Sequence, residues 1–155
     1  RRWYQHWWAY LIAIVVGSQL SFLAAVQFRI HFAEAFFVPT RAMSNAIMAG
    51  DRIIVEKRAY SGRAVERGDI VVARIINWNA TVVVCRVIGL PGDTIAIRNE
   101  KVFLNGQPLE EPYLNLVDER GDVEKLMNLS ERTIPEGEVF LMGDRRRLSY
   151  DSRLY

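Results

Sequence analysis

The stretch Trp7 to Val26, WWAYLIAIVVGSQLSFLAAV, runs for 20 residues without a charge, and no other feature limits the fold as much. At 1.5 Å per residue, about 20 apolar residues cross the ~30 Å hydrocarbon core of a bilayer as one helix. Ser18, Gln19 and Ser21 are its polar members, few enough for such a helix to carry. Trp3, Tyr4, Trp7, Trp8 and Tyr10 gather at one end, as an interfacial aromatic belt does. Arg1, Arg2 and His6 flank that belt, and Arg29 and His31 lie beyond the other end. Two other readings compete. A cleaved signal peptide has a shorter apolar core and a small-residue cleavage site, and Leu23-Ala-Ala-Val26 is a poor one. A buried helix of a soluble domain meets the difficulty that a small domain has little room for a helix apolar all round. The sequence is therefore read as carrying a membrane anchor within residues 1–35. Arg1 and Arg2 favour an inside amino terminus with the remaining domain outside.

The rest of the chain is long enough for one compact domain. With 155 residues in all, half of them hydrophobic and a quarter charged, a disordered chain is excluded. A formal net charge of +2 is not the strong basic signature of a nucleic-acid binder, and none is expected as a partner. The single cysteine permits no intrachain disulfide. The chain opens on Arg1 rather than Met, as a fragment or a processed chain does.

From Phe36 onward, short β-branched runs alternate with turn signals. Arg52–Glu56, Asp69–Ile76, Thr81–Ile88, Thr94–Ile97, Lys101–Leu104 and Val139–Met142 are predicted strands. Asn77-Trp-Asn79 closes a hairpin between the second and third of these, and Asn105-Gly106 makes a tight turn. Short strands at near-regular spacing predict a mainly β domain, sandwich or barrel-like, over 36–155. Glu110 to Arg132 is polar without a strand period, so it is read as a surface loop or, over Val123–Leu129, a short helix. The sequence holds no internal repeat, no low-complexity tract and no glycine loop that would cradle a phosphate. No cofactor or metal is expected.

Four segments, Val38–Asp51, Arg67–Val72, Arg86–Asp93 and Gly143–Arg153, in this order resemble type I signal peptidases (leader peptidases) of bacteria. Val38-Pro-Thr-Arg-Ala-Met-Ser-Asn-Ala-Ile-Met-Ala-Gly-Asp51 is similar to the family's P-S-x-S-M-x-P-T-L-x-x-G-D. Arg67-Gly-Asp-Ile-Val-Val72 is similar to R-G-D-I-V-V, and Arg86-Val-Ile-Gly-Leu-Pro-Gly-Asp93 to K-R-V-I-G-L-P-G-D without its Lys. Gly143-Asp-Arg-Arg-Arg-Leu-Ser-Tyr-Asp-Ser-Arg153 is similar to G-D-N-x-x-x-S-x-D-S-R. Each motif alone is modest, but four in this order behind an anchor are specific. The resemblance implies a single-pass protein of the bacterial cytoplasmic membrane with its β domain on the outer face. It implies removal of signal peptides from exported preproteins by a serine protease working with a Ser/Lys dyad. It also implies that the family's last pair of strands lies beyond Tyr155, so the domain is expected to be truncated there.

Amide cleavage needs an activated nucleophile, a base and donors for the developing oxyanion. A Lys serves as base near neutral pH only when burial or a nearby cation lowers its pKa. The resemblance puts the nucleophile eight residues before Gly50, where Ala42 stands, and the base just before Arg86, where Cys85 stands. It gives Thr40 the place of a Ser that helps line the oxyanion hole, and it matches Ser149, Asp151 and Arg153 to supporting residues of the last motif. Asp144, Asp151 and Arg153 are equally read as an ion-pair cluster that holds the loop, and Arg145-Arg146-Arg147 as a solvated turn or, less simply, a lipid-headgroup contact. Asn45 and Ala46 replace the family's Pro-Thr.

Substitutes for the missing groups are weak. Ser44 in an extended strand would lie about 6.5 Å beyond position 42, where an error of even ~1 Å can cost a hundredfold, and a turn serine is the simpler reading. Cys85 as nucleophile would need a base, and the only histidines, His6 and His31, flank the anchor. A small buried thiol is the simpler reading of Cys85. Four functions follow: a signal peptidase by descent that does not cut, or pseudoenzyme; a non-cleaving membrane-tethered protein that binds signal peptides or other extended segments; a protease with a displaced nucleophile; and a tethered β domain with no peptide role. The expected partners are signal peptides and membrane lipid.

Overall fold

The computed structural model describes residues 6–44, 46–75, 81–99, 101–114 and 128–154. These fall into two compact units, one of residues 1–36 with 54–63, the other of 37–53 with 64–155.

In the first unit, helix α1 spans Trp7–His31, the one helix among the described residues long and apolar enough to cross a membrane. Apolar residues surround it and it is exposed along almost its whole length, which in water would be untenable. Ser18 and Ser21 return their hydroxyls to the carbonyls of Val15 and Gly17, at 2.8 and 2.9 Å, so neither leaves its donor unpaired. The helix ends at Phe32, whose N–H still reaches the Phe28 carbonyl at 2.8 Å. Trp7, Trp8 and Tyr10 of the expected aromatic belt are exposed; Arg1, Arg2, Trp3 and Tyr4 lie outside the described residues. Strand β1 (Ala33–Phe37) follows directly and pairs with β2 (Arg52–Glu56).

The described residues of the second unit hold strands and turns but no helix. Strands β3 (Ile70–Ile75), β4 (Thr81–Gly89) and β9 (Phe140–Met142) form a sheet ordered β3-β4-β9. Strands β5 (Thr94–Arg98), β6 (Lys101–Leu104), β7 (Gln107–Pro108) and β8 (Leu129–Thr133) form another, ordered β7-β6-β5-β8. The pairs β3–β4, β4–β9, β5–β6, β5–β8 and β6–β7 are antiparallel. The two sheets share a core of Ile88, Ile95, Ile97, Val102, Leu104, Ile134, Phe140 and Met142. A second cluster joins Cys85, Val87 and Leu141 to Val65, Val71, Ala73, Val83, Leu90 and Val139. Alternation explains the division, since successive residues of a strand face opposite ways: Met142 enters the first cluster and Leu141 the second. By the same alternation Ile88, between Val87 and Gly89 where the β4–β9 register shifts, faces the shared core.

The mainly β expectation behind one apolar helix holds, and the predicted strands lie within about a residue of the observed ones. Asn105 and Gly106 take φ of 51° and 79°, the paired left-handed conformation of a two-residue hairpin, between Leu104 and its partner Gln107. Strand β8 corrects the reading of Glu110 to Arg132 as loop or helix. Leu129 alone of its residues is half-buried, so the strand carries no alternation and holds to β5 through its backbone. Strand β1 also went unpredicted. The hairpin loop 77–79 and residues 123–127 lie outside the described residues.

Candidate active site

All the residues singled out for chemistry fall in the second unit. Cys85 lies in the middle of β4, opposite Val71 of β3, and is 1% exposed. On the other side, β4 pairs with β9 so that Arg86 faces Met142 and Val87 faces Leu141. Carried one residue further, this register sets Gly143 beside Cys85.

Gly143 is where the site converges. A Cβ built on it would collide with Oγ and Cβ of Ser149 and come within 2.8 Å of the Ala42 carbonyl oxygen. Ser149 and the Ala42 carbonyl therefore close on a residue that has no side chain, and only glycine leaves the room. Backbone contacts fix the rest. The Arg145 N–H donates to the Ala42 carbonyl at 2.9 Å, tying the first motif to the last. The Gly143 N–H donates to Asp151 Oδ2 at 3.0 Å. Asp151 is wholly buried and accepts from Arg153 Nε at 2.7 Å and Nη2 at 2.8 Å. Arg153 Nη2 also donates to the Arg146 carbonyl at 2.6 Å. The Asp151–Arg153 pair thus holds the loop closed around Gly143, as expected of a structural cluster.

Asp144 belongs to a different pair. It accepts from Arg86 Nε at 2.8 Å and Nη2 at 2.7 Å, and Arg86 Nη1 donates to the Gly68 carbonyl at 2.9 Å. The Arg86 guanidinium also lies 4.2 Å over the Tyr113 ring. Tyr113 donates to Glu111 at 2.7 Å, and Glu111 pairs with Arg146. Arg146 is buried, with Nε on the Gly143 carbonyl at 3.1 Å. This overturns the reading of the arginine run as a solvated turn: its middle member is an interior strut, while Arg145 and Arg147 are half-buried. Glu111 and Tyr113 went unnoticed in the sequence, because nothing in a polar stretch signals a partner 35 residues away.

The electrostatics around position 85 follow. Burial is the largest effect on the Cys85 thiol, and the Asp151 and Asp144 carboxylates add to it against the opposing pull of Arg153. Together they push its pKa up to about 12, so the sulfur stays a thiol at neutral pH. Ser149 is buried and its Oγ has no hydrogen-bond partner, an unmatched hydroxyl beside Gly143. Ala42 offers only a methyl group.

Residues 41–44 form a turn rather than an extended strand. The Arg41 carbonyl accepts the Ser44 N–H at 3.1 Å and the Ser44 hydroxyl at 2.7 Å. Ser44 is thus a turn residue, its hydroxyl occupied. Met43, 1% exposed, plugs the turn into the domain, while its carbonyl accepts from Ala46 and Ile47 at 3.1 and 2.9 Å. Thr40 is exposed two residues before Ala42, and Asn45 lies outside the described residues. Among the described residues no three His, Cys, Asp or Glu side chains gather where they could hold a metal ion.

The remaining motif residues are latches of the same kind. Arg67 of the second motif pairs with Asp93 of the third at 2.9 Å, and Asp93 caps the Leu90 N–H at 2.8 Å. All four motifs are thus joined to one another through Arg67–Asp93, Arg86–Asp144, Arg86–Gly68 and Arg145–Ala42.

Comparison with known proteins agrees. Residues 7–155 match the family model described as signal peptidase, peptidase S26. The chain is 35% identical over 144 residues to signal peptidase I of Leptolyngbya laminosa, covering 88% of this chain and 67% of that one. It is 34% identical over 155 residues to signal peptidase I of Bacillus amyloliquefaciens, covering 95% and 75%. A crystal structure of a signal peptidase I from Enterococcus faecalis V583 aligns at 33% identity and a TM-score of 0.48, over 59% of this chain and 86% of that one. With a match spanning nearly its whole length and relatives at this identity, the chain belongs to the signal peptidase family, peptidase S26.

Proposed function

We propose that this chain is a signal peptidase by descent that engages signal peptides without cutting them. The observation that carries the reading is a methyl group at position 42, whose backbone lies against Gly143, together with a buried Cys85 thiol whose pKa is pushed up to about 12. If the family's reaction is run at this place, position 42 supplies the attacking oxygen and position 85 removes its proton. A methyl group cannot attack, and a thiol held near pKa 12 is neither an amine base nor, at neutral pH, a thiolate. Ser44 does not substitute, with its hydroxyl committed to the Arg41 carbonyl. The supporting frame of Ser149, Asp151 and Arg153 persists around the vacated centre, which favours retained binding over decay of the domain. Strand β3 ends its sheet, so an extended segment has an edge on which to add as a further strand. Helix α1 anchors the chain in the cytoplasmic membrane of a bacterium, with the β domain on the outer face and lipid as a standing partner.

The purified chain is tested against a preprotein with small residues at the −1 and −3 positions. No cleavage is expected, and no labelling by a serine-directed acylating inhibitor, while the precursor is retained on the immobilised chain. Cleavage at the ordinary site that Ser44→Ala abolishes would overturn the reading.

A further inference from the structure

Asn105 and Gly106, which turn β6 into β7, are the one Asn-Gly pair in the sequence. An asparagine side chain in that position is open to attack by the next backbone nitrogen, because glycine has no side chain to hinder the approach. The Gly106 nitrogen bonds to Asn105 Cγ, the Cγ–Nδ2 bond breaks, and a cyclic imide forms. The Gly106 proton passes through water to the departing nitrogen, which leaves as ammonia. Water then opens the imide at one carbonyl or the other, giving aspartate or isoaspartate. Water is the only co-reactant, and Asn105 is exposed to it.

The fold engages the Asn105 amide at both ends. Oδ1 accepts the Thr94 N–H at 2.8 Å, and Nδ2 donates to Asp93 Oδ1 at 2.7 Å. The Asn105 N–H donates to the Thr94 carbonyl at 2.8 Å, so backbone and side chain both hold the start of β5. A φ of 51° keeps the residue in the left-handed conformation of the tight hairpin. Closing the five-membered ring rotates the Asn105 backbone out of that conformation and turns the side chain back onto Gly106. The bond to Asp93 is lost with Nδ2 itself.

Asp93 gives the product its consequence. Its Oδ2 accepts from Arg67 at 2.9 Å and from the Leu90 N–H at 2.8 Å, and its carbonyl accepts the Ile134 N–H at 2.8 Å. The tie between the second and third motifs therefore shares its carboxylate with the hairpin. Conversion to aspartate replaces a donor to Asp93 with a second carboxylate at hydrogen-bond distance, and like charges so placed repel. Arg67 is exposed and offsets little of this. Isoaspartate instead adds a carbon to the backbone of a two-residue turn whose flanks, Leu104 and Gln107, are paired.

We infer that Asn105-Gly106 is a deamidation site gated by folding: the folded chain protects the amide, the unfolded chain exposes it, and the acidic product weakens the tie of the hairpin to Asp93. Chains that stay unfolded are thereby marked chemically, and the mark lies where it opposes the native fold.

The full chain, folded in detergent or unfolded in guanidinium, is held at mildly alkaline pH, and conversion at Asn105 is followed by peptide mass mapping. Conversion is expected to be at least about tenfold slower in the folded chain, since the hydrogen bonds to Thr94 and Asp93 have to open first. This comparison needs no variant. Thermal unfolding of Asn105→Asp then reads the product. At neutral pH it is expected to melt below the parent chain, with the gap closing as the pH falls through the carboxylate range and a carboxyl proton is again available to donate across the pair. Equal conversion rates in the two states would overturn the gate. A variant as stable as the parent at neutral pH, or a gap that acid leaves unchanged, would overturn the role of Asp93.

Discussion

Arg86 and Asp144 stand 58 residues apart in sequence and meet through two parallel hydrogen bonds of 2.8 and 2.7 Å, with 12% and 1% of their side chains exposed. This fork-on-carboxylate contact joins β4 to the loop after β9, the two elements that bring positions 85 and 143 together. Removing one member leaves a buried charge without its partner. Asp144→Ala is expected to destabilise the domain by about 3–5 kcal/mol, against a much smaller loss for the exposed Arg98–Glu131 pair. Thermal unfolding in detergent of Asp144→Ala and Glu131→Ala checks the order. A loss from Asp144→Ala no larger than that from Glu131→Ala would mean the latch is dispensable.

The Cys85 thiol gives a pH dependence with a definite sign. Its pKa is 9.0 unperturbed and about 12 in the fold, so below pH 9 the group is a thiol in both states and its contribution is fully present. Between pH 9 and about 12 the unfolded chain loses the proton and the folded one does not. Stability should then fall by up to about 1.4 kcal/mol per pH unit from this group. Cys85→Ala should remove that part of the slope. In the folded chain at pH 8, iodoacetamide should alkylate Cys85 at least a hundredfold more slowly than in guanidinium, since the thiolate is the reacting form. Equal rates in the two states would place the sulfur in solvent.

Restoration tests the assignment of positions 42 and 85. Ala42→Ser with Cys85→Lys is expected to recover weak signal-peptide cleavage, about a hundredfold above either single change, because a hydroxyl without a base and a base without a hydroxyl each lack half the reaction. The burial that raises a thiol's pKa lowers an amine's, which is what a Lys base requires, although Asp151 and Asp144 work against it. Val83 and Val87, in the cluster with Cys85, supply apolar walls. Overpacking of roughly 1–3 kcal/mol is the cost of a Lys where a Cys now fits. Assays compare the double variant with both singles. A folded double variant no better than the singles would show that the groove itself has decayed.

Gly143→Ala in that double variant should abolish the recovered cleavage. The new Cβ would displace Ser149 and press on the Ala42 carbonyl, so positions 42 and 149 could not both keep their places. Ser149→Ala should leave the fold intact, since Oγ has no partner to lose. Cleavage that survives Gly143→Ala would mean that positions 42, 85 and 149 do not work as one site.

The sequence by itself determined the helix and most strands, because each is a local pattern. Twenty uncharged residues have one natural solvent, and a β-branched run bounded by turn residues specifies its own length. It also held, in four ordered motifs, the family. Strand β8 was not legible, since an exposed edge strand is held by backbone bonds and leaves no alternation. Nor were the buried partnerships. Arg146 looked like one of three solvated arginines until the fold put Glu111 against it, and Gly143 looked like a turn glycine until Ser149 and Ala42 closed on its missing side chain. A charge pair across 35 residues, or a space left by an absent Cβ, exists only once strands are paired and loops are closed. Pattern fixes what each segment becomes; only tertiary structure decides which side chains must share one buried volume.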